Sequence, residues 1–90
     1  MSLAYTEWGI DYIEAMEALD ILTPDRPAPS RWDWPGALMM TQLSEDKLYH
    51  ILSCAENRDP RIEIEWEDPD YVSTFTIQCK AKRLSRALGL

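Results

Sequence analysis

The sequence predicts a small α+β domain in which two amphipathic helices pack on a short antiparallel sheet, in the order α-(β)-α-β-β. Three observations carry that prediction. Apolar residues recur at helical spacing over residues 6–22, they do so again over 45–57, and strict alternation fills 61–67 and 71–82 on either side of Asp68-Pro69-Asp70.

In the first helix Thr6 reads as the N-cap, with Glu7 in the first turn, where the helix dipole favours an anion. Tyr5, Trp8, Tyr12, Ala15, Met16, Leu19 and Leu22 then share one face, with Ile13 at its edge. Glu7, Asp11, Glu14 and Glu17 fall on the opposite side, with Ile10 and Ala18 among them. Thr23-Pro24 ends the helix, because a residue preceding proline is pushed out of the α region. Residues 23–36 hold four of the six prolines and two tryptophans, and read as a long stiffened loop. Residues 37–43 read as a short strand or extended segment. Ser44 caps a second helix that has Glu45 and Asp46 in its first turn and a Leu43–Leu48 staple. Leu48, Ile51, Leu52 and Ala55 make its buried stripe, and residues 57–60 end it.

Parity fixes the hairpin faces. Ile62, Ile64 and Trp66 must share a side with Ser73, Phe75, Ile77, Cys79 and Ala81, leaving Arg61, Glu63, Glu65 and Glu67 outside with Thr74, Thr76, Gln78, Lys80 and Lys82. A four-residue loop at 67–70 satisfies this, with Trp66 opposite Tyr71 and Ile62 opposite Phe75. A two-residue loop at Pro69-Asp70 has the same parity, but its favoured turns need φ > 0, which proline cannot adopt. The longer loop is therefore expected. A hairpin is not stable alone, so the two helices must cover its apolar face, with 37–43 as a candidate third strand.

Ninety residues make a single domain, 1–90, and 46% hydrophobic content supplies one core. No apolar run reaches the roughly 20 residues that span a bilayer, and no signal-peptide pattern opens the chain, so a soluble protein of the cytoplasm is expected. Cys54 and Cys79 are too few for a disulfide framework. The net charge of −7 is unevenly spread. Residues 1–25 carry six acids and no base, and residues 63–70 carry five acids and no base. From Lys80 the sign reverses through Lys82, Arg83 and Arg86 into a basic tail, 83–90. That tail either folds back on the acids or meets a partner.

Catalytic chemistry is poorly provided for. His50 is the single histidine, no Ser or Cys sits in a nucleophile-elbow context, and three glycines build no phosphate-binding loop. His50 and Cys54 stand four apart and read as pointing away from the Leu48/Ile51/Leu52 stripe, the spacing of two metal ligands. A closed site needs two more ligands, and no second His and no Cys-x-x-Cys supplies them. No enzyme activity, cofactor or metal is expected.

Two features point to a partner. Glu7, Asp11, Glu14 and Glu17, with Ile10 between them, form a helix face without a base, suited to a basic protein. Arg31, Trp32 and Trp34 on the proline-stiffened loop are residue types that make interface hot spots, with one indole expected inward and the other outward. The leading expectation is an acidic protein-binding module, an inhibitor or adaptor acting on a basic target such as a nucleic-acid-handling protein. Small inhibitors carried by phages and mobile elements share this size and charge. Four basic residues without interleaved aromatics do not predict direct nucleic-acid binding, and no membrane partner is expected. The alternatives are a structural or accessory subunit of a larger assembly, and a minor enzyme or metal site around His50.

Overall fold

A computed structural model of the protein describes residues 4–25 and 27–80. Its elements in chain order are α1 (Ala4–Glu7), α2 (Tyr12–Leu22), β1 (Ser30–Asp33), α3 (Trp34–Thr41), α4 (Glu45–Arg58), β2 (Ile62–Trp66) and β3 (Thr74–Cys79). The three strands form one antiparallel sheet in the order β1-β3-β2, giving the α+β architecture. The helices cover one face of the sheet. Tyr5, Leu22, Leu48, Ile51, Leu52, Phe75 and Ile77 are fully buried between the layers.

The first predicted helix is broken in two. Gly9 takes a left-handed φ of +79°, donates its N–H to the Thr6 carbonyl at 3.0 Å, and lets Ile10 donate to the Tyr5 carbonyl at 2.8 Å. This pair of bonds is a Schellman stop, which is accompanied by a contact between its two flanking apolar residues. Here those residues are Tyr5 and Ile10, both in the core. Ile10 is therefore buried and does not lie on the acidic face. Thr6 is inside α1 and caps nothing. Asp11 is the N-cap of α2 and accepts from the Glu14 N–H at 3.1 Å. Restarting the helix also rotates its faces: Ala18 is buried with Ala15, Leu19 and Leu22, whereas Ile13 is 68% exposed. At the far end Thr23 closes α2 as expected, its N–H and hydroxyl both donating to the Leu19 carbonyl at 3.0 and 2.7 Å.

The third strand lies earlier than 37–43. Prolines 27, 29 and 35 bracket a proline-free Ser30–Trp34, and Ser30–Asp33 pairs along β3 as an edge strand, with Trp32 opposite Phe75. Residues 34–41, read as loop and then strand, are instead α3. Proline is tolerated in a first helical turn, where its missing N–H would have no partner, and Ala-Leu-Met-Met propagates a helix well. The long loop expected over 23–36 thus gives way to β1 and α3 from Ser30 onward. Gln42 ends α3 at φ +59°, its N–H donating to the Leu38 carbonyl at 2.8 Å. Ser44 caps α4 through the Lys47 N–H at 3.2 Å, as its sequence implied.

The hairpin keeps its predicted faces and shifts its register by four residues. Ile62, Ile64 and Trp66 lie opposite Cys79, Ile77 and Phe75. The expected pairing would have set Tyr71 and Ser73 against Trp66 and Ile64; the observed one pairs apolar side chains throughout. Its cost is a longer connection, which grows only slowly with length. Tyr71 is left 72% exposed in that connection. Its N–H donates to the Asp68 carbonyl at 3.2 Å around Pro69, the turn that Asp-Pro-Asp foretold. Beyond Lys80 the predicted strand residues 81–82 and the basic tail 83–90 lie outside the described residues.

The layers are tied together at Asp59, the C-cap of α4, whose side chain is buried. Its carboxylate accepts from the Tyr5 hydroxyl at 2.8 Å, and from Arg61 Nε at 2.9 Å, Nη2 at 2.7 Å and backbone N at 3.0 Å. Burial pushes this carboxyl up, but the bonds from Arg61 and Tyr5 together outweigh it and hold it below the usual carboxylate range. Burial and the same hydrogen bond to Asp59 raise the Tyr5 hydroxyl.

Two sets of outcomes follow. Asp59→Ala leaves a half-buried guanidinium and a buried hydroxyl without their acceptor, and is expected to cost about 3 kcal/mol or more in urea unfolding; Tyr5→Phe is expected to cost about 2 kcal/mol. Because the folded-state pKa of Asp59 is depressed, its contribution is complete above about pH 4–5 and is lost as pH falls through the folded value. Urea midpoints measured from pH 6 to pH 2 should fall less steeply in Asp59→Asn than in the parent. The two left-handed positions give opposite signs. No atom lies within 4 Å of a Cβ built on Gly9, so Gly9→Ala should destabilise by about 1 kcal/mol through backbone strain alone. Gln42→Gly should raise the midpoint, because glycine adopts this φ freely.

Candidate functional site

The acids of the N-terminal half meet cations from a different helix. Lys47 and Arg58 both belong to α4 and are eleven residues, three turns, apart. Lys47 Nζ lies 3.2 Å from Glu14 Oε1, and Arg58 Nη2 lies 3.4 Å from Glu7 Oε1. The like-charge row that looked unrelieved within its own helix is thus relieved across the α1–α4 and α2–α4 junctions. Between the starts of α2 and α4 an open cleft of about 400 Å³ is lined by Asp11, Glu14, Asp46, Lys47 and His50. A second, smaller groove of about 240 Å³ runs between α2 and the end of α3, with Glu17 and Ile21 on one wall and Thr41 and Leu43 on the other.

The remaining described cations are similarly engaged. Arg31 forks onto Glu67 through Nε at 2.6 Å and Nη2 at 3.2 Å, Lys80 Nζ lies 3.5 Å from Glu63, and Arg61 holds Asp59. The hydrogen bond to Glu67 raises the Arg31 pKa, and the hydrogen bond from Arg31 lowers that of Glu67. Both side chains are exposed, so this pair adds little to stability. Each of the five described cations therefore faces an acid, while the chain has sixteen Asp and Glu. Arg26, Lys82, Arg83 and Arg86 lie outside the described residues. No described cation stands within ion-pair range of Glu17, Glu45, Asp46 or Glu65, all exposed. On the outer face of the sheet Glu65 sits opposite Thr76, and Thr76 opposite Arg31. This face is polar, and none of the described helices lies on it.

The eight residues singled out from the sequence are placed as follows. Glu7 and Glu14 are in ion pairs, Asp11 caps α2, Ile10 is in the core, and Glu17 is exposed beside the α2–α3 groove. Arg31 is engaged by Glu67. Both tryptophans are half-buried against the core, contrary to the expected division into one inward and one outward. They stand two residues apart, and positions two apart share a face in an extended chain. Trp32 donates its indole N–H to the Leu22 carbonyl at 2.9 Å; Trp34 packs against Trp66 and Phe75 at centroid separations of 6.1 and 6.4 Å.

His50 and Cys54 do not share a solvent face. His50 is exposed and stacks on Trp8, with centroids 6.0 Å apart, whereas Cys54 is fully buried and burial pushes its thiol up. The reason is α1, which packs on α4 and covers the flank that the four-residue spacing had left to water. Among the described residues no group of three or more His, Cys, Asp or Glu side chains is placed to hold a metal ion, and no helix is long and apolar enough to cross a membrane. Sequence reasoning missed a further set. Tyr49, Tyr71 and Val72 are 48%, 72% and 43% exposed, and Met39 and Met40 are 73% and 54% exposed. Tyr49 carried a signal, since it lies off the Leu48/Ile51/Leu52 stripe.

No family model, curated protein or solved structure matches the chain.

The placement of Trp32 has a measurable consequence. Trp32→Phe keeps an aromatic ring on the core and removes the hydrogen bond to Leu22, so its unfolding free energy should drop by about 1 kcal/mol. An unchanged urea midpoint would show that the indole N–H does not anchor α2 to β1.

Proposed function

We propose that this protein is an acidic protein-binding module, an inhibitor or adaptor whose partner presents a basic surface. The observation that carries the reading is the engagement of every described cation by an acid of the same chain, with Glu17, Glu45, Asp46 and Glu65 exposed beyond them. Uncompensated exposed carboxylates raise the local concentration of a basic partner and speed its encounter, and they repel nucleic acid and anionic lipid. A basic protein that itself handles nucleic acid fits the same chemistry.

A second reading, a structural or accessory subunit of a larger assembly, draws on the exposed apolar side chains Ile13, Met39 and Met40. Such a subunit would contact its neighbours through dispersion and burial, with little dependence on salt.

The two readings separate in one experiment. The tagged protein is used to capture partners from the cell it comes from, at about 50 and about 300 mM salt, with the parent chain and a Glu17→Gln, Glu45→Gln, Asp46→Asn, Glu65→Gln variant. None of these four side chains is in an ion pair with a described cation, so the variant should fold as the parent does. An acidic module loses its partner at the higher salt and in the variant. Capture that survives both changes and fails on Met39→Ser, Met40→Ser would overturn it in favour of the accessory subunit.

A further inference from the structure

The two flanks of α4 carry the same pair of groups, an aromatic face and a carboxylate, and only one of them is completed by a described cation. On the first flank the Arg58 guanidinium carbon lies 5.7 Å from the centroid of Trp8, with Nη2 3.4 Å from Glu7 Oε1. An aromatic face and a carboxylate there hold a guanidinium between α1 and α4, the arrangement that cation–π attraction and charge-assisted hydrogen bonding favour. On the second flank Tyr49 lies 6.2 Å from Trp66 with the rings inclined at 46°, and Trp66 donates its indole N–H to Glu56 Oε1 at 3.4 Å. Phe75, 5.1 Å from Trp66, and Trp34, 6.1 Å from it, also pack against the indole. Glu45, Tyr49 and Glu56 are spaced by four and seven residues, so they line one stripe of α4. All three are exposed, and the five described cations are engaged elsewhere.

We propose that Tyr49, Trp66 and Glu56 form a receptor for an arginine side chain carried by a basic segment of a partner protein. The inference rests on the reading of the chain as a binder of basic proteins and gives that reading a site. Arginine is the cation of choice because its planar guanidinium stacks on an aromatic face while its N–H groups fork onto a carboxylate; a lysine ammonium is more strongly hydrated and does neither as well. The indole is packed against neighbouring rings, so little side-chain freedom is lost when a ligand covers what remains exposed of it. The exposed Tyr71 and Val72, on the connection that leaves β2 just after Trp66, extend the apolar surface available to the rest of the segment.

The test uses the full chain and two synthetic peptides, one alternating arginine with glycine and one alternating lysine with glycine. The indole N–H signal of Trp66 is assigned by its loss in Trp66→Phe and followed by nitrogen–proton NMR during titration. The arginine peptide should move that signal saturably and bind about three- to tenfold more tightly than the lysine peptide. Tyr49→Leu, which keeps an apolar side chain and removes the ring face, and Glu56→Gln should each weaken binding by about threefold or more, with the exposed Asp25→Asn as the control that leaves it within about twofold. Binding that leaves the Trp66 signal in place and ignores Tyr49→Leu and Glu56→Gln overturns the receptor but keeps the acidic-module reading. Equal affinity for the two peptides overturns the selection of arginine. No binding of either peptide at about 20 mM salt overturns both the receptor and the reading beneath it.

Discussion

The structure hangs on one buried carboxylate. Asp59 is at once the last cap of α4, the acceptor for the Tyr5 hydroxyl of α1, and the partner of Arg61 at the entrance to β2. Its two oxygens fix α1 against the junction of α4 and β2, 54 residues further along the chain. A charge so thoroughly removed from water survives only when its lone pairs are all met, and here four donors meet them. The orientation of α1 follows from this. With Tyr5 tied to Asp59, Trp8 is carried over α4, where it stacks on His50 and receives Arg58. Cys54 is covered as a result, and a spacing that suggests a metal site in a linear reading becomes part of the core.

Much of the architecture was legible because it depends on periodicity. The stripe of α4, the alternation of β2 and β3, and the inward face of the hairpin all follow from which residues are apolar at steps of 3.6 or 2. What was not legible depends on single residues whose effect is conformational. Gly9 sits inside an apparently continuous helical pattern and reads as a tolerated glycine; the left-handed turn that it permits is decided by the burial of Tyr5 and Ile10 together, a tertiary outcome. Pro35 reads as a breaker, yet placed in a first turn it starts a helix. The hairpin register turned on a comparison that parity cannot make, between a short loop and a row of wholly apolar cross-strand pairs.

The candidate surface was legible in sign and not in detail. Acid-rich segments were visible in the sequence, but Lys47 and Arg58 reach them from a helix more than thirty residues away, and nothing in the spacing of the first segment foretells that. The tryptophans chosen as hot spots proved to be partly structural, since Trp32 finds a carbonyl and Trp34 finds a stack of rings. The residues that remain available, Tyr49 and the carboxylates beside it, lie on a helix whose apolar stripe had seemed to be its whole purpose. With the described cations paired internally, the surface left open on these elements is one of acids and aromatic faces.

The order of the strands has a consequence for how the chain comes together. β3 lies in the middle of the sheet and is the last of the three to be synthesised; β1 and β2 do not touch each other and each pairs only with it. Until residues 74–79 have emerged from the ribosome, β1 and β2 have no hydrogen-bonding partner, and the helices have no sheet to cover. The register pairs of β1 and β3 span more than forty residues, so the pairing that completes the sheet closes a long loop late. A growing chain of this protein therefore holds the apolar faces of β1 and β2 without their sheet partner until β3 is made.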